Sequence, residues 1–199
     1  MSESVTEFLR RIPTLTGDAP DLGSTEWPVE PTAAFRAWLD SALAVGVPEP
    51  HALVLSTIGE DGLPDARTLI LRDVHVDRGW AFAGPASSAK GAQLAAAPVA
   101  ALTFWWQPQV RSVRVRGRVV EASRAESDAD LAARSTAARA DSAPGDWTLW
   151  RVVPSRVEFW QGSTDRRHIR VVYSRDDAGA WRIDATRGGH ESAVAISSD

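Results

Sequence analysis

The chain has 199 residues, a formal net charge of −4, 44% apolar and 24% charged residues, the profile of one soluble globular domain able to bury a core. That charge gives no general affinity for nucleic acid or anionic membrane, and no apolar run reaches membrane-spanning length. The absence of cysteine excludes disulfides and thiolate metal sites, and MSESVTEFLRRIP has no apolar leader, so a cytoplasmic protein without membrane or nucleic-acid partners is expected.

Residues 1–30 are acidic and punctuated by Pro and Gly, which predicts a mostly irregular arm. A single domain over 31–187 and a polar, disordered tail over 188–199 are expected to follow. From Pro31 the period is helical: Phe35, Trp38, Leu39, Ala42 and Leu43 share a face, and Gly46 and Pro48 end it. HALVLSTI (51–58) and ARTLILRDV (66–74) flank a GEDG turn, the signature of a hairpin. WAFAG (80–84) reads as a strand and SSAKGAQLAAAP (87–98) as a short helix with a serine start and a proline stop. VAALTFWW (99–106) and VRSVRVRGRVVEA (110–122) predict a second hairpin; in the latter, Val113, Val115 and Val119 alternate with Arg114, Arg116 and Arg118. Ser123 and Glu126 form a capping box opening an Ala-rich helix to about residue 140. RVVPSRVEFW (151–160), IRVVYSR (169–175) and AWRIDAT (180–186) complete the strands. Strands joined mostly by tight turns, with few helices between them, predict a mainly β (α+β) fold: an antiparallel split barrel of six to seven strands with peripheral helices.

The chemistry available is narrow. There is no GxSxG elbow and no cysteine, so nucleophilic triads fare poorly. His51, His75, His168 and His190 show no HxH or HExxH spacing, so no metal site is expected. Anion binding remains. Arg67 and Arg72 bracket TLIL, and Lys90, the only lysine among 22 basic residues, opens a helix where backbone N–H groups and the dipole favour phosphate. Arg114 and Arg116 add a basic face, Trp160 offers a ring for stacking, and His168 sits among Arg166, Arg167 and Arg170, an environment that disfavours its protonation. Each arginine taken singly reads better as a solvated surface charge, and Trp160 fits a core position as well as a stacking one.

With these segments in order, the chain resembles the pyridoxamine 5′-phosphate oxidase family. ALVLSTIGEDGLPDARTLILRDV resembles the family's strand–turn–strand with R-x-V-L-L-K, and SSAKGAQLAAAPVAALTFWW its S-R-K-G-x-x-L segment. RSVRVRGRVVEAS resembles R-Q-V-R-V-x-G, and RVVPSRVEFWQGSTDRRHIRVVY resembles the closing E-F-W-Q-G-x-x-x-R-x-H-x-R motif. The resemblance runs from about residue 31 to 186. It implies a split-barrel homodimer with two FMN sites at the subunit interface, and oxidation of a pyridoxine- or pyridoxamine-phosphate with oxygen as acceptor. Matched position by position, it implies that Arg67, Thr68, Leu69, Ile70, Leu71, Arg72, Ser88, Lys90, Ser112, Trp160 and Arg170 contact FMN. Arg166 and His168 match the catalytic pair, and Arg72, Arg134, Arg166 and His168 the substrate contacts.

Several positions depart from the family's pattern. Ala89 replaces a phosphate-binding arginine, Ala83–Gly84 a Tyr-Thr pair, and Ser112 a glutamine that reaches the flavin. Asp130 and Ala138 replace a tyrosine and a serine around the substrate phosphate, and the stretch from Arg134 to Trp147 is short enough to lack a Gln-Ser pair that contacts FMN. An aspartate at 130 is expected to repel a phosphate. Two alternatives therefore stand beside the B6-phosphate oxidase: an oxidase of a flat, reduced heteroaromatic of the phenazine-pathway kind, and a flavin-binding barrel without turnover.

Overall fold

A computed structural model of the chain describes residues 3–22, 26–140, 142–176, 178–188 and 194–195. Strand β1 (Ala52–Ile58) pairs with β2 (Pro64–Ile70) on one side and with β5 (Val99–Trp106) on the other. The ladder continues through β6 (Arg111–Glu121) to β7 (Trp147–Gln161), all antiparallel. β7 is 15 residues long and forks: its first half pairs with β4 (Gly79–Pro85), its second with β8 (Ile169–Arg175). The chain leaving β2 turns into β3 (Asp73–His75), which pairs with β4, and the Arg72 N–H donates to the Ala81 carbonyl at 2.8 Å. The ring β1–β2/β3–β4–β7–β6–β5 is thereby closed. β8, β9 (Trp181–Arg187) and the two-residue β10 (Val194–Ala195) splay from the far half of β7. This is the expected split barrel, with the additional strands lying outside the ring.

The inward residues explain the closure. Phe35 of helix α2 (Pro31–Ala44) packs on Trp80, Phe104 and Trp106 with ring centroids 4.4, 5.0 and 6.0 Å apart. Five of the nine tryptophans, Trp38, Trp80, Trp106, Trp147 and Trp150, are buried, so the tryptophan bias is largely core packing. Helix α3 (Ala89–Ala96), capped by Ser88, closes the end of the barrel beside β1. A β-bulge at Arg116/Gly117 leaves Ser155 of β7 unpaired and bends the long strand.

Four segments differ from the sequence reading. The single strand expected over 66–74 is two, β2 and β3, separated by Leu71 and Arg72, whose N–H groups go to His51 and Ala81. A helix, α1 (Val5–Arg10), stands within the arm; a Ser4–Glu7 capping box starts it and it buries no side chain. Beyond it the arm is docked on the barrel: Asp18 N–H donates to the Pro108 carbonyl (2.8 Å), Gln161 to that of Pro20 (2.8 Å) and the Tyr173 hydroxyl to that of Pro28 (2.8 Å). The Ala-rich helix is broken into α4 (Arg124–Ala132) and α5 (Thr136–Ala140); at the break the Arg134 N–H turns back to the Leu131 carbonyl at 3.0 Å. β7 begins at Trp147 rather than at 151; its first six residues are all buried, so they show no alternation to betray a strand. The expected tail lies outside the described residues apart from Gly188, Val194 and Ala195, as does His190. Among the described residues no helix is long and apolar enough to cross a membrane.

Candidate functional site

The first cluster forms where β1, β2 and the start of α3 meet. Arg67 donates to the Thr57 hydroxyl, to Asp65 Oδ2 at 2.6 Å and to Gln93 Oε1 at 2.8 Å. Gln93 in turn donates to Asp65 at 2.9 Å, and together with Arg67 it holds that carboxyl below its usual range. Lys90 reaches back to the Ser88 hydroxyl at 2.9 Å and lies across Gly84, where any β-carbon would collide with the end of its side chain. Gly91 is equally constrained: a β-carbon there would come within 2.7 Å of the Ala86 carbonyl carbon. Asp146 pins the loop, accepting from Ser87 N–H (2.8 Å) and the Ser87 hydroxyl (2.7 Å). Burial lowers the Lys90 pKa, the Arg67 charge lowers it further, and Asp146 opposes both. Two cations, a serine hydroxyl and a helix start converge on one spot, the arrangement that receives a phosphate.

The second cluster lies on the outer face of the sheet. Trp105, Ser112, Trp160 and Arg170 are neighbours across β5, β6, β7 and β8. Trp105 is 50% exposed, its ring 6.4 Å from that of Trp160, and Trp160 lies 5.2 Å from the His168 ring. His168 Nδ1 accepts the Ser163 N–H at 3.0 Å, so the neutral ring carries its proton on Nε2. Beneath this face Glu158, buried, meets Arg114 (2.7 Å), Arg156 (3.1 Å) and Arg170 (3.7 Å). Burial opposes its ionisation, but hydrogen bonds from Arg114 and Arg156 outweigh it and hold the carboxyl below its usual range.

The third cluster joins α4 to the start of β7. Arg72 Nε donates to Asp130 Oδ1 at 2.7 Å, and Trp147 Nε1 to Asp130 Oδ2 at 2.9 Å. The Arg134 guanidinium lies 4.9 Å over the Trp147 ring, with its Nε buried and without a hydrogen-bond partner among the described residues. The Asp130 carboxylate is thus paired with Arg72 and capped by Trp147. The side chain of Ala138 lies outside the described residues.

The sequence-predicted residues therefore fall into groups. Arg67, Ser88 and Lys90 converge, and so do Ser112, Trp160, His168 and Arg170. Arg72 and Arg134 sit together around Asp130 and Trp147. On β2, Thr68 and Ile70 face outward, while Leu69 and, just beyond the strand, Leu71 pack against the core; the Leu71 N–H is spent on the His51 carbonyl at 2.9 Å. β2 is an edge strand over this stretch, laddered to β1 alone, so alternate N–H and C=O groups are available there. Arg166 is exposed in the turn after β7, at a left-handed φ of 64°, and Arg167 points elsewhere, into an ion pair with Asp165 at 2.6 Å. Sequence reasoning overlooked Trp105, whose signal was a second tryptophan in an alternating strand, and Glu158, which was visible only inside the E-F-W-Q string. Nothing in the sequence marked Thr57, Gln93 or Asp146.

A closed antiparallel ring with splayed outer strands, a cationic cluster at a helix start and an aromatic outer face defines a split-barrel protein. The family model described as pyridoxamine 5′-phosphate oxidase matches residues 39–161, and that of the pyridoxine 5′-phosphate oxidase C-terminal dimerisation region matches 147–185. The pyridoxine/pyridoxamine 5′-phosphate oxidase of Nostoc punctiforme is 36% identical over 88% of this chain and 95% of its own length. That of Bordetella petrii is 39% identical over 77% and 87%. Among solved structures, PhzG from Burkholderia lata 383 in complex with tetrahydrophenazine-1-carboxylic acid superposes with a TM-score of 0.77 at 26% identity, covering 86% of this chain and all of that one. The chain belongs to the pyridoxamine 5′-phosphate oxidase family, and it is an oxidoreductase.

Proposed function

We propose that the protein is an FMN-dependent oxidase that works as a cytoplasmic homodimer on a pyridoxine- or pyridoxamine-type ring. The observation that carries this reading is the cradle of Arg67, Ser88 and Lys90 at the start of α3, beside the free edge of β2. A half-buried lysine whose charge is opposed by burial and by a neighbouring arginine fits a phosphate monoester, and the edge groups of Thr68 and Ile70 fit the hydrogen-bonding rim of a flat ring. FMN, when bound, supplies a two-electron acceptor that takes hydride from the substrate and returns the electrons to dioxygen.

The chain's own residues supply placement and electrostatics. Lys90 and Arg67 hold the phosphate, with Ser88 fixing the lysine's direction. Trp160 covers the ring system from the partner copy, and Arg170, tethered over Glu158, brings a positive charge to the same side. His168, with Nδ1 engaged, presents Nε2–H to the substrate, and Arg166 lies in the adjoining turn with no ion pair among the described residues, free to orient it.

A second reading, oxidation of a flat reduced heteroaromatic, draws support from the likeness to PhzG, a protein solved with tetrahydrophenazine-1-carboxylic acid. Titration of the purified protein with FMN tests the first part of the proposal: a saturable change in flavin absorbance is expected, and a protein that stays colourless sinks it. Anaerobic bleaching of the bound flavin by pyridoxine, pyridoxamine and their phosphates, or by reduced heteroaromatics, identifies the ring. Loss of flavin colour with none of them favours a binding protein without turnover.

A further inference from the structure

The turn that carries Arg166 and His168 is tied to itself. Ser163 N–H donates to His168 Nδ1 (3.0 Å), Arg166 N–H donates to the Ser163 carbonyl (3.1 Å), and Asp165 accepts from the Ser163 hydroxyl and from Arg167. Its far end runs straight into β8, so its placement on the barrel depends on the near end, the hinge at Gln161 and Gly162. Gly162 N–H donates to the Val110 carbonyl at 2.9 Å. Gln161, buried, lies opposite Arg111 across β6 and β7. Its Oε1 accepts from Arg111 Nε at 2.7 Å, and its Nε2 donates to the Pro20 carbonyl of the N-terminal arm at 2.8 Å. The guanidinium can only donate and the carbonyl can only accept, so the amide has one orientation.

The arm meets this hinge a second time. A β-carbon on Gly162 would come within 2.8 Å of the Trp160 ring and 3.0 Å of Leu15 Cδ2. Leu15 itself holds a left-handed φ of 53°, a backbone state that a leucine keeps only where its surroundings enforce it. The next residues supply that enforcement. Gln107 donates to the Thr16 hydroxyl (3.0 Å), Asp18 N–H donates to the Pro108 carbonyl (2.8 Å), and Gly17 fits where a β-carbon would come within 2.6 Å of the same carbonyl oxygen. The arm is thus fixed at the β5–β6 turn and from there reaches across to Gln161 and Gly162.

We propose that Gln161 is a positioning residue: bonded to Arg111 on one side and to the docked arm on the other, it clamps the hinge so that Arg166 and His168 are presented together. The roles of Arg166 and His168 rest on the oxidase reading above, whereas the clamp is a property of the chain with or without flavin.

Two variants loosen the arm by different routes. Gln161→Glu keeps an acceptor for Arg111 but sets an oxygen against the Pro20 carbonyl. Gly17→Val forces the arm off the Pro108 carbonyl and leaves Gln161, Arg166 and His168 untouched. In both, amide exchange read by mass spectrometry on the full chain is expected to quicken together in 13–22 and 162–168, by about fivefold or more. FMN affinity stays within about threefold of wild type. With pyridoxine 5′-phosphate as substrate, kcat/KM falls about tenfold in each variant, and the double variant falls no further than the worse single one, as changes acting through one contact require. Faster exchange in the arm alone, wild-type turnover, or losses that add overturns the proposal. If Gln161→Glu does not fold, Gly17→Val decides by the same exchange and turnover readings. A wild type that takes up no FMN, or does not oxidise this substrate, loses the B6-phosphate oxidase reading. Exchange needs no substrate, and there it upholds the clamp if both segments quicken and overturns it if only the arm does.

Discussion

Burial and the Arg67 charge both lower the pKa of Lys90, so the flavin-free fold carries this cation at a penalty that a bound anion relieves. The sign follows from linkage: a lysine with a depressed folded pKa destabilises the fold at every pH below that pKa, and the penalty fades as pH rises toward the unfolded value of about 10.4. Lys90→Met is therefore expected to raise the melting temperature of the flavin-free protein at pH 7 by about 1–2 °C, a gain that vanishes at high pH. The same change removes a charge-assisted hydrogen bond of roughly 1.5–3 kcal/mol and weakens FMN binding about ten- to a hundredfold. A scanning calorimetry series and a flavin titration read the two effects separately. Glu158 behaves in the opposite sense. Its carboxyl is held low by Arg114 and Arg156 against the pull of burial, so its contribution is present above the unfolded pKa of about 4.3 and is lost as pH falls through the folded value. The three arginines are 37–56% exposed, and solvent weakens their hold. We therefore expect Glu158→Gln to destabilise by only about 2 kcal/mol at pH 7, with the gap to wild type closing below about pH 4 in urea melts.

At the scale of elements, the motif glycines mark where two backbones approach. A β-carbon on Gly117 would come within 2.8 Å of the Val153 carbonyl carbon and 2.9 Å of Pro154 Cα, at the bulge where β7 crosses from one half of its ladder to the other. Backbone cannot move aside as a side chain can, so Gly117→Ala should cost upward of 2 kcal/mol, seen as a lowered urea midpoint with an unchanged slope. A midpoint within 0.3 M of wild type would show that β7 tolerates the shift. Strands β1, β5, β6 and β8, with α2 and α3, were legible in the sequence because each buries one face more than the other. The start of β7 was not, since α4 and the neighbouring strands cover both its faces and no alternation survives. The arm's docking was equally hidden: it depends on backbone carbonyls of Pro20 and Pro28 meeting Gln161 and Tyr173, partners more than a hundred residues away. In the site, Lys90 and the Trp160–His168 string could be read directly, because their chemistry is rare in this chain. The pairing of Asp130 with Arg72 could not, because it joins residues 58 apart whose proximity follows only from barrel closure.

For the whole molecule, the site poses a problem of distance. Thr68, Val54, Thr103, Arg114 and Glu158 form one continuous row across β2, β1, β5, β6 and β7, and Trp160 lies two residues beyond its end. At about 4.8 Å per strand, the edge of β2 is roughly 19 Å along the sheet from the Trp160 strand, so in the proposed flavin site one flat ring does not reach both along the sheet of one chain. In the homodimer proposed above, a second copy packed on this outer face would bring its Trp160 and Arg170 to the first copy's cradle, and the reverse contact would make a second site, as two-fold symmetry requires. The face has the composition for it: Val54 in this row and Trp105, two residues along β5 from it, are 40% and 50% exposed, and the matched dimerisation region covers 147–185. Trp105 lies beside Trp160 without belonging to the cradle, so Trp105→Asp places a charge in the packed face while leaving Lys90 and Arg67 intact. The variant should elute as a monomer in light-scattering chromatography and lose FMN binding in the same step. A monomer that still binds FMN at wild-type affinity would place the whole flavin site within one chain.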